Sequence, residues 1–181
     1  MGLLIAKWVG GILLVLLVVL IALISTRPSE FRIVRSANMS APPEAVFALI
    51  NDFHQWTKWS PWEGRDPNLK RSYGGADSGP GATYAWVGNK DVGEGRMTIT
   101  DSKPGEFVAI QLEFIKPMAA TNDTLFTLKP AAQGCELTWE MSGKNAFMGK
   151  AFSLVMDMDK MIGGDFEQGL ASLNTAAQAG Q

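Results

Sequence analysis

Between Trp8 and Thr26 the chain carries no charge, although it holds 16 Lys and Arg and 18 Asp and Glu elsewhere. Nineteen positions rising about 1.5 Å each make a helix of roughly 28 Å, close to the hydrocarbon thickness of a bilayer. The run reads as a retained single-pass anchor over 1–26, followed by a linker over 27–30 and one domain over 31–178. A cleaved secretory signal would have a shorter apolar region ending in a small-residue cleavage pair, which Ala22-Leu23-Ile24-Ser25-Thr26 does not offer. Trp8 suits an interfacial aromatic, and Gly10 and Gly11 inside the span leave room for close helix approach. Lys7 flanks one end, while Arg27, Arg32 and Arg35 follow the other. The charge count favours a cytoplasmic domain, whereas a short lysine-bearing tail favours the opposite side, so the sequence leaves orientation open.

Composition narrows the chemistry of the rest. From Arg27 onward the charges are weakly acidic in balance, which argues against nucleic-acid binding. A single cysteine, Cys135, excludes an internal disulfide framework and a thiolate cluster, and a single histidine, His54, excludes a two-imidazole site. No serine–histidine–acid order, phosphate cradle or paired-carboxylate spacing stands out. The scattered glycines read as hairpin turns. No catalytic residue is therefore assigned, and no metal or cofactor is expected. His54 has no acidic orienter expected beside it, and Cys135 reads as a small half-buried residue. Asp157 and Asp159 alternate with methionines, and residues two apart on a helix point in different directions. They read as solvated charge or as a contact to a neighbouring subunit. Glu63 and Arg65 read as surface charge in preference to a polar anchor.

The element pattern is α+β. Phe31–Met39 reads as a first strand, and Ser40-Ala41-Pro42-Pro43-Glu44 as a helix start with Ser40 as the capping hydroxyl. The helix that follows presents Val46, Phe47 and Ile50 on one face. A second short helix and a turn cover 51–62. Six strands come next, over 69–73, 83–87, 95–101, 107–115, 123–129 and 136–142. Val108, Ile110, Leu112 and Phe114 oppose Gln111 and Glu113, and Leu137, Trp139 and Met141 oppose Glu136, Thr138 and Glu140. Such alternation means an antiparallel sheet with one buried face. Lys150–Ala177 repeats apolar residues at helical spacing and reads as one long amphipathic helix. Gly163-Gly164 within it costs helix stability of about 1 kcal/mol per residue, offset by close approach to the sheet or by a bend. Trp56, Trp59 and Trp62 recur every third residue and share one face of a tight helix. They read as a cavity mouth or partner contact, against ordinary packing of the helical cap.

Several stretches resemble the START-like (SRPBCC) superfamily and its polyketide cyclase/dehydrase-like branch. They are Ala41–Phe47 with Trp56–Trp62, Trp86–Lys90, Gly93–Gly95 with Met97–Thr100, Met141–Gly143, Phe147–Lys150 and Met156–Gly163. The resemblance spans roughly residues 30 to 175. It implies a helix-grip fold, a curved antiparallel sheet wrapped around a long C-terminal helix, here preceded by a single transmembrane helix. It also implies a bacterial inner-membrane location and a hydrophobic cavity between sheet and helix. Tyr84, Trp86, Phe114, Phe126, Trp139, Met141 and Met156 would line that cavity, or would simply fill the core. Three functions stay in view. The first is a membrane-anchored binder of a lipid, isoprenoid or aromatic molecule. The second is a non-catalytic accessory subunit of a membrane complex, and the third a cyclase- or hydratase-type enzyme. The superfamily's name does not carry an activity over.

Overall fold

The computed structural model describes residues 2–180, with side-chain exposure defined from Lys7 onward. Helix α1 spans Gly2–Ser25, and its Lys7–Ser25 part is long and apolar enough to cross a membrane. Of its described side chains only Ile24 is buried, at 5% exposure. Thr26–Ser29 then leads into β1 (Glu30–Met39).

Helix α2 (Pro43–Asn51) buries Pro43, Val46, Phe47 and Ile50, the face set by their spacing. Its N-cap is Pro42, with no side-chain capping bond. Ser40 is therefore not the cap: its backbone N–H donates 2.9 Å to Asn174 Oδ1, on the C-terminal helix. A 3-10 helix, Phe53–Lys58, follows at once. Six strands complete the sheet: β2 (Lys70–Gly75), β3 (Ala82–Val87), β4 (Glu94–Lys103), β5 (Phe107–Lys116), β6 (Ala120–Pro130) and β7 (Cys135–Lys144). All pairings are antiparallel, in the order β1-β7-β6-β5-β4-β3-β2. The alternation read from β5 and β7 is realised, with Val108 and Ile110 and then Leu137, Trp139 and Met141 buried on the inner face.

The sheet wraps a long C-terminal helix, yet that helix starts later than its apolar spacing suggests. A short helix α3 (Phe147–Phe152) is followed by a turn and then by α4 (Met158–Ala179). The break at 153–157 is a helix start: the Asp157 carboxylate accepts a 3.0 Å bond from the Lys160 N–H, and Asp159 sits in the first turn. Helix α4 buries Phe166, Leu170, Leu173 and Ala177 against the concave face.

Two glycines set how closely α4 lies. A Cβ on Gly163 would fall 2.0 Å from Arg35 Nη2, so its absence admits the β1 guanidinium beneath the helix. Arg35 there donates to Glu167 Oε1 at 2.7 Å and to Asp159 Oδ2 at 3.0 Å. Asp159 is thus an internal partner of the sheet, and Arg35 holds its carboxyl below the ordinary range. Gly169 lies against Trp139 and Pro61 in the same way, whereas nothing lies within 4 Å of where a Gly164 Cβ would be.

Candidate functional site

The aromatic residues of the inner face meet one another. Trp139 stacks on Phe166 of α4 with centroids 4.1 Å apart and planes 6° from parallel, and lies 4.7 Å from Phe126. Trp59 and Trp62 each stand edge-on to Trp139 at 5.8 Å. The 3-10 helix, with three residues per turn, is what brings Trp56 and Trp59 to one side. Both are buried, and their indole N–H groups donate to Ile50 O at 2.9 Å and Leu49 O at 3.1 Å. Trp62 is half-buried and also packs on Phe166. Tyr84, Trp86 and Phe114 form a second aromatic row, with centroids 6.0 Å apart and then 6.1 Å apart. Met141 is buried on the inner face of β7, between Ile33 of β1 and Thr124 of β6. Of the seven residues read as cavity lining, six thus share the inner face, while Met156 is exposed in the turn before α4. Cys135 is fully buried.

Beside the second row lies a polar chain that the sequence concealed. Glu63 is not surface charge: its carboxylate accepts the Tyr84 hydroxyl at 2.7 Å and the Arg71 Nε–H at 2.6 Å. Arg65 pairs with Asp165 of α4. His54 does have an acidic neighbour, since its Nδ1 lies 2.8 Å from Asp52 Oδ1, and its ring stacks on Tyr73 at 4.2 Å. Burial alone would raise the Asp52 carboxyl, but hydrogen bonds from Gln55 and His54 outweigh it and hold Asp52 low. The adjoining hollow, about 180 Å³, is smaller than the ~300–1,000 Å³ of typical small-molecule sites. Among the described residues, no three His, Cys, Asp or Glu side chains are placed to hold a metal.

Burial, reinforced by the bond to Glu63, pushes the Tyr84 phenol far above its ordinary value, and burial also raises Tyr73. A phenol that keeps its proton when folded loses it near pH 10 when unfolded. The contribution of Tyr84 to stability is therefore whole below about pH 10. Above that it falls by about 1.4 kcal/mol per pH unit. Absorbance titration at 295 nm is expected to show both tyrosines ionising above the ordinary range, Tyr84 only as the domain unfolds. A normal phenol titration for both in the folded chain would contradict this burial.

A larger space lies elsewhere, at the junction of α1 and the domain. A groove of about 540 Å³ is bounded by Phe31 and Ile33 of β1, by Leu154, Met156 and Met158 before and at the start of α4, and by Ile162 within it. Arg27, Asn145 and Asp157 add polar edges. Sequence reading placed only Met156 of these in a site. The signal available was the run Phe152-Ser153-Leu154-Val155-Met156, apolar yet outside any buried helix face. One more polar group stands close by. Asn122 Oδ1 is buried with no hydrogen-bond partner, and a Cβ on Gly143 would touch both that atom, at 2.2 Å, and the Phe31 ring edge, at 2.9 Å. Asn122 and the groove-lining Phe31 thus flank the same glycine.

Comparison with known proteins agrees with this fold. A family model described as "Polyketide cyclase / dehydrase and lipid transport" matches residues 30–178. No curated protein matches the sequence. Among solved structures, protein CV1439 of Chromobacterium violaceum is 20% identical, with a TM-score of 0.56, covering 82% of this chain and 96% of that one. The Aha1 dimer of Colwellia psychrerythraea is 17% identical, with a TM-score of 0.59, covering 83% and 98%. The di-domain ARO/CYC StfQ of the steffimycin biosynthetic pathway is 8% identical, with a TM-score of 0.60, covering 83% of this chain and 51% of that one. At such identities the likeness is one of fold.

Proposed function

Since this chain belongs to the polyketide cyclase / dehydrase and lipid transport family of the START-like superfamily, we propose that it is a membrane-anchored binding domain for a hydrophobic, lipid-like small molecule. The observation that carries this reading is the groove of about 540 Å³ where the apolar helix meets the domain. Its volume falls within the range of small-molecule sites, and its walls combine aliphatic and methionine side chains with polar edges from Arg27, Glu30, Asn145, Ser153 and Asp157. The concave face, filled by the Trp139–Phe166 stack and its neighbours, supports packing more than a ligand. On this reading the ligand occupies the membrane-proximal end and reaches it from the bilayer in which α1 sits.

Native mass spectrometry of the full-length protein, released gently from its own membranes, tests this. An adduct of a few hundred daltons is expected, reduced at least tenfold by Leu154→Arg, a half-buried groove position. A clean chain mass in wild type sinks the reading. A second reading, the accessory subunit, draws on Gly10 and Gly11, where an added Cβ would meet nothing within 4 Å, so α1 has an open face for another helix. A clean mass inside a larger assembly, dispersed when both glycines become leucine, would favour it.

A further inference from the structure

The apolar side chains left exposed on the domain are not spread evenly. Beyond α1 there are twelve exposed large apolar residues among those described, and seven fall within Phe147–Met161. Phe147, Met148 and Phe152 belong to α3, Val155 and Met156 to the turn, and Met161 to the first turns of α4. Val155 is 82% exposed, an extreme value for a branched aliphatic side chain in water. The acids in this stretch do not offset the patch, because each is engaged locally. Asp157 caps α4 through the Lys160 N–H, and Asp159 is tied to Arg35.

What covers the patch follows from its position. Helix α1 packs on α3, and Ile24, the one buried side chain among those described in α1, lies in its last turn. Counted along a helix, Ile24 is about 3 Å from the end of the uncharged run. Helix α3 therefore sits at the level where hydrocarbon gives way to headgroups. The four residues Thr26–Ser29 reach at most about 14 Å, so the domain has no tether long enough to lift away. Phenylalanine, methionine and valine beside a membrane-spanning helix form one continuous apolar surface with it, whereas a protein partner would have to displace lipid to reach α3.

We infer that α3 and the 153–157 turn rest in the headgroup–acyl boundary of the leaflet from which α1 emerges, so that the partner of this face is the lipid bilayer itself. Interfacial segments commonly bury an apolar face about 5–10 Å deep, which the height of α3 beside Ile24 allows. The inference holds whether or not the groove carries a ligand. It also places the Met156 rim of the groove against lipid.

The test uses the full-length chain in nanodiscs of phosphatidylcholine and phosphatidylglycerol. A polarity-sensitive fluorophore is attached at Val155→Cys or, as a second position, Met161→Cys. Buried Cys135 is shielded from labelling. Leu125→Cys, on the outer face of β6 at 37% exposure, is the reference. Blue-shifted emission and quenching by lipids carrying a shallow nitroxide, at least threefold stronger at 155 and 161 than at 125, is the expected result. Emission as polar and unquenched as that of the Leu125 site would overturn the inference. So would a blue shift without lipid quenching, which would assign the face to a protein partner.

Discussion

Trp139→Ala is expected to cost the domain about 3–5 kcal/mol, the range for deleting a large buried aromatic, measured by denaturant unfolding of the full-length chain in micelles. Trp139 is 2% exposed and touches the strand, the helical cap and α4 together: Phe126 on β6, Trp59 and Trp62 after the 3-10 helix, and Phe166 on α4. Its removal leaves a cavity with walls from three elements that cannot collapse as one. The parallel stack on Phe166 adds a specific aromatic contribution beyond area. One term opposes the loss. The indole Nε1 is buried without a partner, so its deletion relieves an unmet hydrogen bond. A measured loss under about 1 kcal/mol would mean that these rings do not pack as described.

Two glycines five residues apart on α4 should respond with opposite signs. Gly164→Ala places a methyl in open space and replaces the poorest interior helix former but proline by the best, so a gain of about 1 kcal/mol is expected. Gly169→Leu should lose about 3 kcal/mol. Its Cβ alone would lie 2.8 Å from the Trp139 ring and 3.1 Å from Pro61, and neither is a flexible chain end. The two sites of loss face each other, so they should not add. The double variant Trp139→Ala, Gly169→Leu places new volume where volume was removed, and its cost should fall at least 1 kcal/mol short of the sum. Simple additivity would show that the glycine is not what lets α4 approach the tryptophan.

Where one physical rule dominates, the sequence was legible. The uncharged run of α1 and the two-residue alternation of β5 and β7 were visible because burial on one face leaves little freedom in residue type. The three-residue spacing of tryptophans likewise announced a tight helix. Helix α4 was harder. Apolar spacing continues from Phe152 through Met161 although these residues face outward, so periodicity alone bridged the break that Asp157 makes by capping. Glu63 and His54 were misread for a different reason. Their partners, Arg71 and Tyr84 for one and Asp52 for the other, are chosen by folding, and an ion pair across elements leaves no periodic trace. Asn122 escaped entirely, and of the groove only Met156 was singled out, because a concavity formed by a linker, a strand and a turn has no local pattern.

The pairing of β1 with β7 also orders events during synthesis. Met39 pairs with Cys135 and Glu30 with Lys144, so the strand joined to α1 needs a neighbour made roughly 100 residues later. At translation rates of about 5–20 residues per second that wait lasts on the order of 5–20 s. Through it α1 leaves the ribosome and is free to enter the bilayer while β1 still has no partner. The inner sheet from β2 to β6 pairs neighbour with neighbour and needs no such delay. The seam that ties the strand following α1 to the rest of the sheet is therefore the last strand pairing whose two partners are both synthesised.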